Sequence, residues 1–175
     1  VDGQPWMALE IPADAVLVSG VKRDIALLGR VDAHAGDEVT VLDVSAEANH
    51  AALVALLACG VRVAYFDHHF PGDLPVHEHF VAHIDTSPGT CTSLIVDRHI
   101  GGLHPLWAIV GAYGDNLVDA ARRRAAPLGL GDDALRRLRE LGEDLTYNGY
   151  ADCEDDLIAH PAGLYRELRA HADPF

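Results

Sequence analysis

The stretch that decides the fold is VTVLDVSAEANHAALVALLACGVRVAYFDHH, residues 39–69. Two uniformly apolar runs, at 39–42 and 61–66, enclose a segment whose apolar residues follow helical spacing and which ends at Gly60. Apolar runs without polar alternation are typical of parallel strands that are covered on both faces. The stretch therefore predicts a strand, a helix and a second, parallel strand.

The flanking sequence extends this pattern in both directions. Apolar runs at 15–18 and 80–84 each predict a further strand, and residues 24–31 predict a short helix. Beyond Cys91 the pattern is helical, at 92–99, 106–113, 117–126, 132–141 and 161–170. The predicted fold class is α/β, with a parallel β-sheet flanked by helices and a C-terminal half that is mainly helical. The length predicts a single domain over residues 1–175.

Composition excludes several classes of function. The chain carries 13 Lys and Arg against 27 Asp and Glu, a net charge of −14, whereas proteins that grip long nucleic acid need clustered cations. No apolar run approaches the ~20 residues that a membrane span needs, and the N-terminus lacks a signal-peptide pattern, so we expect a cytoplasmic protein without membrane contact. Three cysteines without a CxxC pair argue against a disulfide framework or a thiolate zinc site.

Polar residues follow the predicted strands at the point where each strand ends. Asp43 follows the run at 39–42, and Asp85 follows the run at 80–84. The run at 61–66 is followed by Asp67, His68 and His69. One such Asp is often only a helix cap or turn former, but the carboxyl ends of parallel strands meet at one edge, where ligands bind. Carboxylates brought together there repel unless a cation lies between them, and oxygen donors with an imidazole suit Mn²⁺ or Mg²⁺.

These residues resemble a known family. The segment YFDHH at 65–69 is similar to the signature of the DHH phosphoesterases, which include RecJ-type exonucleases, type II pyrophosphatases, nanoRNases and cyclic dinucleotide phosphodiesterases. VTVLD at 39–43 resembles the family's second motif, and GAYGDN at 111–116 resembles its fourth. GTCTS at 89–93 is similar to the small-residue turn that opens the helix between the third and fourth motifs.

The resemblance implies a role for each matching residue. Asp43 is expected to bridge two metal ions, Mn²⁺ or alternatively Mg²⁺, with His68 and Asp115 as terminal ligands. Asp67 is expected to orient the site, and His69 to contact the substrate phosphate or to protonate the leaving group. Two metal ions can position and deprotonate a water while stabilising charge on the phosphoryl oxygens.

The family's first motif is matched only in part. The family begins with Asp-x-Asp on its first strand, and Asp2-Gly3 resembles the second Asp and the following Gly. The resemblance thus implies that Asp2 is a further metal ligand and predicts a strand before Val1. Nothing in residues 1–175 matches the glycine-rich, His-containing motif of the family's C-terminal substrate-binding domain. We therefore expect a DHH catalytic domain that is truncated at its N-terminus and lacks that second domain.

Several cations are candidates for substrate binding. Lys22 and Arg23 follow the predicted strand at 15–18, where a positive charge could meet a phosphate, although first-turn residues are also commonly just exposed. Arginines at 122–124 point several ways around their predicted helix, which favours a solvated face over a role in guiding an anion.

The sequence favours a Mn²⁺-dependent phosphoesterase that hydrolyses a phosphodiester in a small phosphorylated substrate, such as a short oligonucleotide or a cyclic dinucleotide. A pyrophosphatase or polyphosphatase of the same superfamily is the alternative within this chemistry. A catalytically impaired metal- or nucleotide-binding regulatory module is the alternative outside it. The sequence leaves substrate identity and a homodimer open.

Overall fold

The computed structural model describes residue 12 and residues 14–175. Its strands and α-helices are β1 (Glu38–Leu42), α1 (His50–Ala58), β2 (Arg62–Asp67), β3 (Phe80–Ile84), α2 (Thr92–His99), α3 (Pro105–Gly114), α4 (Val118–Ala125), α5 (Asp132–Tyr147) and α6 (Pro161–Leu168). Short 3₁₀ turns occur at Leu27–Arg30, Ala126–Leu128 and Glu154–Asp156. No helix within the described ranges has the length and apolar character needed to cross a membrane.

The three strands form a parallel sheet in the order β1-β2-β3. The register places Leu42 beside Phe66 and Asp67 beside Ile84, so all three strands end at the same edge. The second half of the chain is helical. The predicted α/β class, with its parallel sheet and helical C-terminal half, is confirmed.

The central strand β2 is covered on both faces. Tyr65 is fully buried and packs in one cluster with Leu53 of α1, whereas its neighbour Phe66 packs on the other face with Ile95 and Val96 of α2. Alternate side chains of a strand point to opposite faces, so an uninterrupted apolar run is what this position requires. Burying each such side chain contributes roughly 1.5–3 kcal/mol.

The helical half has its own core. Trp107 and Ile109 of α3, Ala121 of α4 and Leu138 of α5 are buried together there. Helix α5 runs six residues past its predicted end at 141, because Leu145 in the added turns also packs against this core.

The predicted strand at 15–18 is wrong. Among the described residues only β1, β2 and β3 form a sheet, and residues 15–18 pair with none of them. Val16 is 89% exposed, whereas Val21, beyond the predicted strand, is 1% exposed. A short apolar run becomes a strand only where a sheet edge is within reach of its backbone, and that condition is tertiary rather than local.

The helix predicted at 24–31 is reduced to the 3₁₀ turn Leu27–Arg30. The buried side chain of Asn49, just before α1, replaces the missing helical hydrogen bonds. Its Oδ1 accepts from the Leu28 amide at 3.0 Å, and its Nδ2 donates to the carbonyl of Ile25 at 2.5 Å. Side-chain bonds of this kind compete with helix formation and fix irregular backbone instead.

Helices α3 and α5 cross at a point where glycine is required. A Cβ on Gly142 would lie 2.3 Å from the Val110 carbonyl oxygen and 2.9 Å from the Gly114 amide nitrogen. A Cβ on Gly114 would lie 2.6 Å from Thr146 Oγ1. The close approach of the two backbones therefore sets the position of the end of α3.

We predict that Gly142→Ala destabilises the protein by about 1–3 kcal/mol, because overpacking against backbone atoms outweighs the ~1 kcal/mol gain in helix propensity. Gly163→Ala, in α6, is the matched control because no atom lies within 4 Å of its Cβ position. That variant should gain up to about 1 kcal/mol. Urea unfolding of both variants checks the prediction, and equal shifts in the same direction would contradict it.

Candidate metal centre

Acidic and imidazole side chains from three elements meet at the carboxyl edge of the sheet. Asp43 directly follows β1, His68 follows β2, and Asp115 directly follows α3. The Asp43 amide donates to the Phe66 carbonyl at 3.0 Å, which holds the end of β1 against β2. The chain thus brings together residues that are 72 positions apart, from Asp43 to Asp115.

His68 lies between the two carboxylates. Its Nε2 is 3.4 Å from Asp43 Oδ1 and 3.7 Å from Asp115 Oδ2. Bonds of ~2.1 Å to one cation place neighbouring donors roughly 3.0–3.4 Å apart. The separation from Asp43 lies at the upper end of this range, and the separation from Asp115 lies just beyond it. Two carboxylate oxygens and one imidazole nitrogen form a donor set that suits a hard or borderline divalent cation.

Hydrogen bonds behind these groups fix their orientation. His68 Nδ1 lies 3.1 Å from the Thr90 carbonyl oxygen. A carbonyl oxygen can only accept a hydrogen bond, so Nδ1 carries the proton and the lone pair of Nε2 can bind a metal. The Thr92 hydroxyl, at the start of α2, donates to Asp43 Oδ1 at 2.6 Å. Outer bonds of this kind hold metal ligands in their binding orientation.

The backbone at two positions of the site is unusual. Asp43 has φ 60°, and Asn116, directly after Asp115, has φ 57°. Non-glycine residues in this left-handed region cost about 1–3 kcal/mol each and persist where the surrounding structure demands them. At both positions the turn re-aims the chain as it leaves a regular element that ends at the carboxylate cluster.

His69 and Asp67 form a second pair beside the first. His69 Nδ1 donates to Asp67 Oδ1 at 2.7 Å, and the Asp67 side chain is fully buried. The other carboxylate oxygen of Asp67 is buried without a hydrogen-bond partner among the residues that the structure describes. Asp43, His68 and His69 each offer one ligand atom, and these three atoms lie within 4.8 Å of one another, so His69 is also positioned as a candidate metal ligand.

The predicted site residues separate into three groups. Asp43, Asp67, His68, His69 and Asp115 lie together at the sheet edge. Asp2 lies outside the described residues. Of the two predicted substrate-binding cations, Lys22 lies over the Tyr150 ring, and Arg23 pairs with Asp152 at 2.9 Å. Substrate binding by those two cations stays a prediction.

Sequence reasoning gave no role to Thr90 and Thr92. Threonine is common at the start of helices, so the sequence does not distinguish these two residues from others of their type. Only their tertiary contacts with His68 and Asp43 do so. Asp85, which also follows a strand, pairs instead with Arg98 at 2.8 Å. Hydrogen bonds from Ser87, and then from Arg98, lower the pKa of that carboxyl.

Cys91 lies against the cluster but is not suited to bind metal. Burial raises its pKa to about 12, and the charges of Asp115 and Asp43 act in the same direction. The thiol therefore stays protonated at neutral pH, whereas metal binding and nucleophilic attack both need the thiolate.

Comparison of the chain with protein-family models, with curated proteins and with solved structures found no match. The case for a metal centre is therefore carried by the residues and their geometry.

We predict that the Cys91 thiol resists alkylation by iodoacetamide at pH 8 in the native protein, because it is buried and protonated. Cys59 and Cys153 are exposed and serve as internal controls that should react, Cys153 more slowly because its hydrogen bond to Asp156 raises the pKa of that thiol. Peptide mapping by mass spectrometry separates the three sites, and urea should expose Cys91. Labelling of Cys91 at the rate of Cys59 without denaturant would contradict the burial.

We also predict that the protein binds Mn²⁺ and that Asp43→Asn, His68→Ala and Asp115→Asn each weaken binding by more than ~100-fold, because each removes a ligand. Thr92→Val should weaken it by about 10-fold, as loss of an outer bond usually does. Asp85→Asn is the control, since this carboxylate lies at a strand end but outside the cluster. Calorimetric titration with Mn²⁺ measures all five variants. Unchanged affinity in His68→Ala would refute the site.

Proposed function

We propose that this chain is the catalytic domain of a metal-dependent phosphoesterase that resembles the DHH phosphoesterases. The observation that carries the proposal is the convergence of Asp43 and Asp115 on one imidazole nitrogen of His68. Two carboxylates brought to one imidazole repel each other without a cation, whereas a bound cation compensates for that repulsion. Mn²⁺ is the proposed ion, with Mg²⁺ as the alternative.

Asp43, His68 and Asp115 hold the cation in this proposal. When bound, a divalent cation supplies positive charge for phosphoryl oxygens and lowers the pKa of a water that attacks phosphorus. The chain's own contribution is to fix two of these ligands before binding, His68 through its bond to Thr90 and Asp43 through its bond from Thr92. The resemblance further implies a second ion held partly by Asp2.

His69 is the proposed proton donor. Its Nδ1 hydrogen-bonds Asp67 Oδ1, which fixes the orientation of the ring, and Nε2 is the nitrogen proposed to face the substrate. A carboxylate behind an imidazole orients the ring and stabilises its protonated form. Attack of water on phosphorus forms a new P–O bond and breaks the bond to the leaving oxygen, which takes its proton from His69. The buried carboxylate of Asp67 is therefore proposed to be a positioning group rather than a ligand.

The proposed substrate is a small phosphodiester. The net charge of −14 opposes binding of a long polyanion, because such binding depends on many phosphate contacts with Lys and Arg. A short oligonucleotide or cyclic dinucleotide presents few phosphates, and a bound cation can supply the positive charge for one of them.

The test is a screen of the full-length protein with Mn²⁺ against cyclic dinucleotides, short RNA and DNA, and pyrophosphate. Release of nucleotide monophosphates that EDTA abolishes is the expected result. Hydrolysis of pyrophosphate alone would favour the pyrophosphatase. Metal binding without any hydrolysis would favour the regulatory module.

We predict that His69→Ala keeps Mn²⁺ stoichiometry but lowers kcat by about 10²–10⁴-fold, the usual contribution of a general acid. Asp43→Asn should lose both metal and turnover. His77→Ala, an exposed loop histidine, is the matched control and should behave like the unmodified protein. Turnover of Asp43→Asn at the unmodified rate would overturn the assignment of roles.

A further inference from the structure

The loop that leads into α2 has an arginine beside it. An ideal Cβ on Gly89 would lie 3.3 Å from Nη2 of Arg123, and Gly89 has φ +88°. The next residue, Thr90, directs its carbonyl to His68. Consecutive residues of one loop thus face the metal centre and the Arg123 guanidinium, which places a cation next to the proposed reaction site.

Helix α4 is fixed in a way that sets the position of Arg123. The neighbouring Arg124 donates through Nε to Asp97 Oδ2 at 2.7 Å, and Asp97 is 3% exposed. Asp97 lies on α2, the helix whose first turn carries Thr92. Because this partly buried ion pair joins α4 to α2, it fixes the helix from which the Arg123 side chain extends.

Arg123 is one of five among the twelve arginines that have no acidic partner within the described residues, and of these five it is the one beside Gly89. Within the described residues, seven arginines have an Asp or Glu oxygen within 4 Å, in a chain with excess acid. Arg123 has no such partner in that part of the chain, and its side chain is exposed. A guanidinium offers five donors in a planar fork that matches a phosphate, and exposure leaves them accessible to a ligand.

We infer that Arg123 binds a second phosphate of the substrate, one that is not cleaved. The inference rests on the proposed function and names its substrate class: small phosphodiesters that carry a further terminal phosphate. The scissile phosphate lies at the cation held by Asp43, His68 and Asp115. Arg123 lies beside Gly89, the loop residue that precedes Thr90, and contacts the next phosphate. The residue therefore sets specificity and does not take part in the bond-breaking step.

The test compares two dinucleotides that differ only in a terminal phosphate, pTpT and TpT, using the full-length protein with Mn²⁺. In Arg123→Gln the ratio of kcat/KM for pTpT over TpT should fall about 10- to 100-fold, the value of a charge-assisted hydrogen bond pair. The change should appear in KM rather than kcat, because the contact is made equally in the ground and transition states.

Two further variants complete the test. Arg122→Gln removes the neighbouring exposed arginine of α4 and should leave the ratio unchanged, while Arg123→Lys should recover part of it because charge remains without the planar fork. An unchanged ratio in Arg123→Gln, or an equal fall in Arg122→Gln, overturns the inference.

If neither dinucleotide is hydrolysed, that result counts against the proposed function. The inference about Arg123 is then tested separately, by measuring binding. Calorimetric titration of the Mn²⁺-loaded protein with pTpT then decides the role of Arg123. A loss of affinity of 10-fold or more in Arg123→Gln supports it, and equal affinity refutes it.

Discussion

The structure depends on bringing two carboxylates to the same imidazole nitrogen. Asp43 arrives from a strand and Asp115 from the end of a helix, and both approach His68 Nε2 within 4 Å. Like charges brought to one site oppose folding unless something compensates for their repulsion. The left-handed backbone at Asp43, the Thr92 hydroxyl and the glycine contact between α3 and α5 all act to hold these groups in place.

Much of this arrangement could be predicted from sequence because it follows from local pattern. The strands β2 and β3 are uniformly apolar or nearly so, and their predicted positions at 61–66 and 80–84 agree with the structure to within one residue. Polar residues at their ends then had to share one edge. Residues 15–18 have a similar apolar pattern but no strand, because pairing depends on an available sheet edge that the pattern does not encode.

The site could be predicted only where the type and position of a single residue indicate its role. Asp43 and His68 were visible at strand ends, and Asp115 came from the resemblance to a family motif. The contacts of Thr92 and Arg123 were not visible, because each depends on a helix packing against a distant loop or turn. Arg124 illustrates the same limit: three consecutive arginines look equivalent in sequence, yet one is in a partly buried ion pair with Asp97.

The division of the buried residues into a helical cluster around Trp107 and a sheet cluster around Tyr65 has a kinetic consequence. Helices α2, α3, α4 and α5 contact partners that are close in sequence, whereas parallel strands need a crossover between each pair. Local contacts close with little loss of chain entropy and form early. We therefore expect the helical half to assemble first, so that Asp115 is in place before the strands deliver Asp43 and His68. The ligand that comes last along the chain would then be the first to reach its final position.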